Sequence, residues 1–310
     1  MPMQRDENIT IFVPVLDKLK SLLSSIRYRD AFIFQIPSMA AMAIFFPGLS
    51  SISGLKALLL VVGSFLLMAY IFVFNDWADF HSDRQVSQNS KDTLPDNKEI
   101  TQREMLILSV FLALVGGFIV AIVSTAHLSI VLLIIIFGLV YSFPICGLQG
   151  KSIPIFSSFL HFAGILLTFL LGSMTFGPIG MRAILVGAYF GIIISAGHLV
   201  QEVQGYSGDR LTNIRTNAVR FGQKLVFIFS FIIFGFSFVF LYWLAQIGFI
   251  PGLVKYTMLF YPIYAFWAFK VYRSGLDSES VKGLRERYRV LFAIIVFVIV
   301  VGALAERDGL

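Results

Sequence analysis

Apolar runs recur along the chain at 31–47, 54–75, 104–123, 127–146, 154–174, 182–203, 222–245, 250–270 and 290–305. Each approaches the ~20 residues that a helix needs to cross the hydrocarbon core of a bilayer. Leucine, isoleucine and phenylalanine dominate them, and none shows the short strict alternation of barrel strands. A backbone amide inside a bilayer has no water to bond, so each run predicts a helix that closes its own hydrogen bonds. Pro37, Pro144 and Pro262 fall inside or at the ends of these runs, where a bundle tolerates them if neighbours meet the freed carbonyls. The pattern predicts an all-α, polytopic membrane protein with a nine-transmembrane-helix bundle. Its parts are an N-terminal segment over 1–30 and a single nine-helix domain over 31–305, with loops 75–103 and 202–222 as the candidate active-site segments.

Composition agrees with the pattern. The 310 residues are 57% hydrophobic and 14% charged, more apolar side chain than one soluble core of this size can hide. A single cysteine, Cys146, excludes an internal disulfide and a zinc site built on several thiolates. The first twenty residues carry Arg5, Asp6, Glu7, Asp17, Lys18 and Lys20 in place of a signal-peptide core, so the first span is expected to insert as itself.

Nine spans put the termini on opposite sides. With the N-terminus in the cytoplasm, twenty of the 24 lysines and arginines fall on that side, and Lys56, Arg182, Lys255 and Arg307 remain on the other. This asymmetry predicts an integral protein of a cell inner or plasma membrane with both candidate loops cytoplasmic. The net charge of +6 is read as topology, with no nucleic-acid partner implied. The basic group at Lys282, Arg285, Arg287 and Arg289 reads the same way.

The acidic residues gather at the ends of two spans. The second ends in Asn75, Asp76, Trp77, Ala78, Asp79, Phe80, His81, Ser82 and Asp83. If the helix continues, Asp76, Asp79 and Asp83 fall at i, i+3 and i+7, and Asn75 lies four residues before Asp79. Like charges this close call for a cation among them. An all-oxygen donor set favours Mg²⁺ over zinc or iron. The sixth span ends in His198, Glu202, Gly205, Tyr206, Gly208, Asp209 and Arg210. Glu202 and Asp209 share a face, yet about 10 Å separates them along a straight helix. A break near Gly205 or Gly208, or bridging by water and phosphate, would make the pair compatible with a second Mg²⁺.

These two clusters resemble the signature of the UbiA superfamily of intramembrane prenyltransferases, and the resemblance covers essentially the whole chain. Asn75, Asp76, Asp79 and Asp83 match the family's N-D-x-x-D-x-x-x-D motif. In the second region Glu202 takes the upstream acidic position, Gly205 replaces the usual first aspartate of a pair, and Asp209 and Arg210 keep its end. Asn213, Thr216, Phe221 and Gly222 correspond to the tail of that region. Thr93, Leu94, Pro95, Asp96 and Asn97, with Lys91 nearby, stand where the family carries R-P-L-P-x-G, and Tyr141, Ser142, Phe143, Pro144 and Lys151 resemble its Y-S-x-P and following lysine.

The resemblance implies an enzyme that transfers an isoprenoid group from an allylic prenyl diphosphate to a hydrophobic or aromatic acceptor. Mg²⁺ would be the cofactor, with Asn75, Asp76, Asp79, Asp83, Glu202 and Asp209 as ligands, of which Asp76, Asp79, Asp83 and Asp209 carry catalysis. Substrate contacts are expected from Asn75, Lys91, Tyr141, Lys151, His198, Glu202, Tyr206, Arg210 and Arg215, with the basic groups meeting phosphate charge that the ions leave. The partners are the two substrates and membrane lipids, with no obligate protein partner. Two other readings of the same residues are an intramembrane terpene cyclase, using an internal double bond as nucleophile, and a noncatalytic isoprenoid-binding or transport protein.

Overall fold

The computed structural model describes residues 18, 20–46, 48, 51–89, 100–144, 149–212 and 214–308, with all of their side chains except those of 51, 52, 81–89 and 308. The described residues form ten α-helices: α1 (Tyr28–Phe45), α2 (Ser51–Asn89), α3 (Gln102–Val123), α4 (Leu128–Ser142), α5 (Phe156–Ser173), α6 (Met181–Leu211), α7 (Asn217–Phe221), α8 (Gln223–Gln246), α9 (Phe260–Arg273) and α10 (Ser278–Asp308). Short 3₁₀ turns at Thr125–His127, Gly150–Ser152 and Gly252–Leu259 join them.

Among the described residues, seven helices are long and apolar enough to cross a membrane. The predicted runs at 31–47 and 250–270 are helical but fall outside that group. The first is α1, whose opening turn carries Arg29 and Asp30. The second is not one α-helix. It divides into the 3₁₀ segment Gly252–Leu259 and the 14-residue α9.

Outward faces are apolar, as lipid requires. Ile107, Phe111, Leu114, Phe118 and Ile122 form one exposed stripe on α3, and Leu225, Phe229, Ile232, Phe236, Val239 and Trp243 form another on α8. Close helix approach inside depends on small residues. A Cβ on Gly116 would meet the Gly63 carbonyl oxygen of α2 at 3.0 Å, and one on Gly172 would collide with the Ser38 backbone of α1. A charge-free polar bridge deep between α1 and α2 is satisfied: the buried Gln35 amide donates to the Val61 carbonyl and to Ser64 Oγ at 3.1 Å.

The buried apolar residues divide into two clusters. One joins α1 to α2, α3 and α4, with Leu171 of α5. The other joins α1, α5, α6, α8, α9 and α10. The 39-residue α2 would measure about 58 Å, far more than the ~30 Å hydrocarbon thickness, so its acidic C-terminal part extends to the interface.

Candidate active site

The helical continuation of α2 through residue 89 brings Asn75 one turn below Asp79. The Asn75 amide donates to Asp79 Oδ2 at 3.1 Å, and Asn75 Oδ1 accepts from Ser142 Oγ of α4 at 3.2 Å. Asp79, 8% exposed, pairs through Oδ1 with Lys151, which is 7% exposed and comes from the 3₁₀ turn ahead of α5. Asp76 Oδ1 pairs with Arg27, just before α1, at 2.7 Å. Two carboxylates one turn apart are thus each met by a basic side chain from a different part of the chain.

The second cluster is held differently. Glu202, 4% exposed, accepts from Asn217 Nδ2 at 3.0 Å and Ser157 Oγ at 3.4 Å through Oε1 and from the Ala218 N–H at 3.3 Å through Oε2, and His198 Nε2 lies 3.1 Å from Oε1 without hydrogen-bond geometry. Asn217 also donates to Ser157 Oγ and Ser158 Oγ, both at 3.2 Å, and accepts from the Ile155 N–H at 2.6 Å. Ile155 has φ 66°, a region that a β-branched residue rarely adopts. Glu202 and Asn217 therefore fasten α6, α7 and the segment entering α5 together, beside the turn that carries Lys151. Two turns beyond Glu202, Asp209 Oδ2 accepts from Thr216 Oγ1 at 3.1 Å.

Of the two ways to unite the second cluster, a helix break is absent: α6 runs unbroken through Gly205 and Gly208 to Leu211. The reason is local, since nothing on this helix interrupts the hydrogen-bond ladder and the glycines are tolerated within it. Glu202 and Asp209 consequently remain two turns apart.

A cavity of about 160 Å³ opens beside Asn75, at the seam between the two apolar clusters. Phe34, Met68, Phe72, Ile134 and Leu160 make it apolar, and Tyr141, His161 and His198 line its polar wall. The imidazoles of His161 and His198 stack at 3.6 Å with 12° between their planes, and Tyr141 meets His161 edge-on at 5.0 Å. His161 Nδ1 lies 3.2 Å from the Ser157 carbonyl, so that nitrogen carries the proton.

Of the residues expected from the sequence, Asn75, Asp79, Tyr141, Lys151, His198, Glu202 and Asp209 gather at one end of the bundle. Tyr206 is half-buried, and Arg210 and Arg215 are exposed. Asp83 lies on α2 but its side chain is outside the described residues, as is all of Lys91. Ser142, the serine of the Y-S-x-P resemblance, bonds Asn75, whereas Ser157, His161, Asn217 and the ion-pairing role of Arg27 are not marked by the sequence. Asn217 adjoins a motif position; the others carry no local signal. Among the described residues no three His, Cys, Asp or Glu side chains converge as a metal-binding group. The donor set is nonetheless one of hard oxygens, and the basic partners of Asp76 and Asp79 mark where positive charge is required.

Comparison with known proteins supplies the identity. No curated protein matches the chain. A digeranylgeranylglyceryl phosphate synthase structure is 18% identical, with 93% of this chain and 99% of that chain covered and a TM-score of 0.68. A UbiA homolog from Archaeoglobus fulgidus bound to DMAPP and Mg²⁺ is 16% identical over 92% of this chain and 98% of that chain, with a TM-score of 0.73. The apo form of a UbiA homolog from Aeropyrum pernix K1 is 14% identical over 87% and 97%, with a TM-score of 0.65. The UbiA prenyltransferase family model matches residues 35–290, most of the chain, and the protein belongs to that family.

Proposed function

We propose that the protein transfers an isoprenoid group from an allylic prenyl diphosphate to a hydrophobic or aromatic acceptor, releasing diphosphate, with Mg²⁺ as cofactor. The observation that carries this reading is the Asn75–Asp79–Lys151 cluster, whose Asn75 lines an apolar cavity together with Tyr141. The relative bound to DMAPP and Mg²⁺ supports the substrate class.

Asn75, Asp76, Asp79 and Asp209 would hold Mg²⁺, with Asp83 as a further ligand from the same helix. When bound, the ion offsets charge that develops on the leaving diphosphate. Lys151 and Arg27 meet oxyanion charge that remains, in a site walled from water where such contacts are strong. The isoprenoid tail lies against Phe34, Phe72 and Ile134. As the C1–O bond breaks, its electron pair leaves with the diphosphate, the acceptor's nucleophilic atom bonds C1, and the acceptor gives up a proton. Excluding water prevents it from taking the acceptor's place.

The nine-span topology, the division at residue 30 and the cytoplasmic placement of the site belong to the same reading, supported by the twenty basic residues on one side. Accessibility labelling after Asn89→Cys and Asn213→Cys in a Cys146→Ser background is expected to place both on the cytoplasmic face, and labelling from opposite faces would refute it. The reaction is tested by incubating purified protein with Mg²⁺, a panel of prenyl diphosphates and candidate acceptors. Diphosphate release with an intermolecular adduct is expected. A cyclised hydrocarbon, or unchanged lipid, would overturn the transferase.

A further inference from the structure

Prenyl transfer leaves one proton to be placed, because the acceptor atom that bonds C1 gives up its hydrogen inside the cavity. Most ionisable groups lining that cavity are unable to take it. Arg27, Arg285 and Arg289 are guanidinium cations with no lone pair to offer, Asp30 of α1 already accepts from Arg289 Nη2 of α10 at 3.1 Å, and the Tyr141 phenol is a feeble base. Asp76 and Asp79 hold Arg27 and Lys151 and are not part of the lining. The imidazoles of His161 and His198 are left.

The two rings present different nitrogens. His198 Nε2 is shut off from solvent beside Glu202. His161 commits Nδ1 to the Ser157 carbonyl one turn back on α5, so Nε2 keeps its lone pair, and none of the described residues bonds it. His161 also retains accessible surface, and the space it opens onto is the cavity. Its ring is held from three sides: His198 of α6 stacks on it at 3.6 Å, while Tyr141 of α4 and Phe34 of α1 meet it edge-on at 5.0 and 6.1 Å. Phe34 also meets Phe72 edge-on at 5.3 Å, so the imidazole borders the apolar space assigned to the isoprenoid tail. Ser157, which fixes the ring's proton, is itself fixed, since its Oγ donates to Glu202 Oε1 and accepts from Asn217 Nδ2. A positive charge arriving on His161 meets a carbonyl oxygen at Nδ1 and the Glu202 carboxylate beyond His198.

We infer that His161 is the general base of the reaction, its Nε2 taking the proton from the acceptor atom that bonds C1. This rests on the transferase reading and adds the fate of the proton. The C1–O bond breaks with its electron pair on the diphosphate, the acceptor's atom bonds C1, the electrons of its bond to hydrogen stay with the acceptor, and the proton ends on Nε2. A site of this kind takes an acceptor whose reacting atom bears hydrogen, either a hydroxyl or an unsubstituted ring carbon.

The test uses the full chain in lipid nanodiscs with Mg²⁺ and His161→Asn, which keeps an N–H for the Ser157 carbonyl and has no atom in the place of Nε2. Affinity for geranyl thiolodiphosphate, a donor analogue that does not ionise, is expected to stay within about twofold of the wild type, which also shows that the variant folds. With geranyl diphosphate and 1-naphthol, 1-hydroxy-2-naphthoate, para-hydroxybenzoate or dodecylglycerol as acceptor, adduct formation is expected to fall about a hundredfold for whichever acceptors the wild type converts. Proton loss should then limit the variant alone, so that deuterium on the acceptor's reacting atom, introduced on the ring or from heavy water, slows the variant and not the wild type. If His161→Asn fails to bind the donor analogue, His161→Gln takes its place under the same expectations. The histidine ¹⁵N spectrum reads the base without any acceptor: among four histidines, the signals lost in the variant should show a protonated Nδ1 and a bare Nε2. Wild-type adduct formation in a folded variant, a slower variant without an isotope effect, or a proton on Nε2 would overturn the inference while leaving the transferase reading in place. A wild type that converts none of the acceptors would overturn that reading, and the inference with it.

Discussion

The two acidic helix ends that face each other here are built on opposite electrostatic plans. At the end of α2, Asp76 and Asp79 are met by charged side chains, Arg27 and Lys151, each reaching in from another segment. At the end of α6, Glu202 is met by Asn217, Ser157, His198 and a backbone N–H, groups fixed to α5, α6 and α7. A carboxylate held by mobile basic chains can exchange them for another cation. One whose oxygens are filled by short neutral donors is committed to holding backbone segments together. Chemical similarity between Asp79 and Glu202 thus conceals a difference in role, with Asp79 suited to a metal and Glu202 to positioning.

Asp79→Asn provides the severest test of this contrast. It removes charge while nearly conserving shape, and diphosphate release at saturating Mg²⁺ is expected to fall about a thousandfold with helical content unchanged. Wild-type turnover in the folded variant would place the metal elsewhere. Lys151→Gln comes next. Loss of the cation leaves Asp79 buried with Asn75 as its described neutral partner, and kcat/KM is expected to fall about a hundredfold, the scale of losing one charged donor to a leaving oxyanion. Stability should fall too, and Asp79→Asn with Lys151→Gln should recover part of it, because the double change leaves no unpaired buried charge. Thermal unfolding of the three variants reads that recovery.

Much of the α2 end was legible in the sequence because it depends on helical periodicity: Asn75, Asp76 and Asp79 need only a continuous helix to come together, and α2 supplies it. The α6 end was less legible. Glycines at 205 and 208 suggest a break, but within a long helix supported on both sides they cost about 1 kcal/mol each and the ladder survives. Apart from His198, one turn before it, the partners of Glu202 come from residues 15 to 45 positions away, a separation that no local spacing encodes. The same holds for Arg27, Arg285 and Arg289, whose charges read as topology along the chain and converge only when α1 meets α10. The division of the eighth run was not legible for a related reason: apolar composition indicates membrane residence but does not separate a 3₁₀ turn from an α-helix.

Glu202→Gln carries a smaller effect, of a different kind. The partners of Glu202 are donors, so a glutamine, which has one oxygen and one NH₂, must set a donor against a donor whichever way it turns. The expected cost is about 1–3 kcal/mol of stability, read as a lowered Tm. Turnover should fall by about threefold through the shifted Lys151 turn, while half-saturating Mg²⁺ stays where it is. A raised Mg²⁺ requirement would return Glu202 to the metal and erase the distinction between the two ends.

The mildest test adds a group to the weaker end. Gly205 lies within the helix, and a Cβ there would meet Asp209 Oδ2 at 3.6 Å and Oδ1 at 3.7 Å, ordinary contact distances that leave room for a side chain. Gly205→Asp therefore fits sterically and exchanges a poor helix former for a somewhat better one. It also sets a second carboxylate beside Asp209, an arrangement that repels itself until a cation enters. With Mg²⁺ absent the variant should be no more stable than the wild type, because repulsion offsets the helical gain. With Mg²⁺ present its Tm should rise further than the wild type's, and half-saturating Mg²⁺ for diphosphate release should drop by about twofold. If Mg²⁺ stabilises both proteins equally, Asp209 is outside the metal's reach and the α6 end serves only to position Lys151 and the cavity wall.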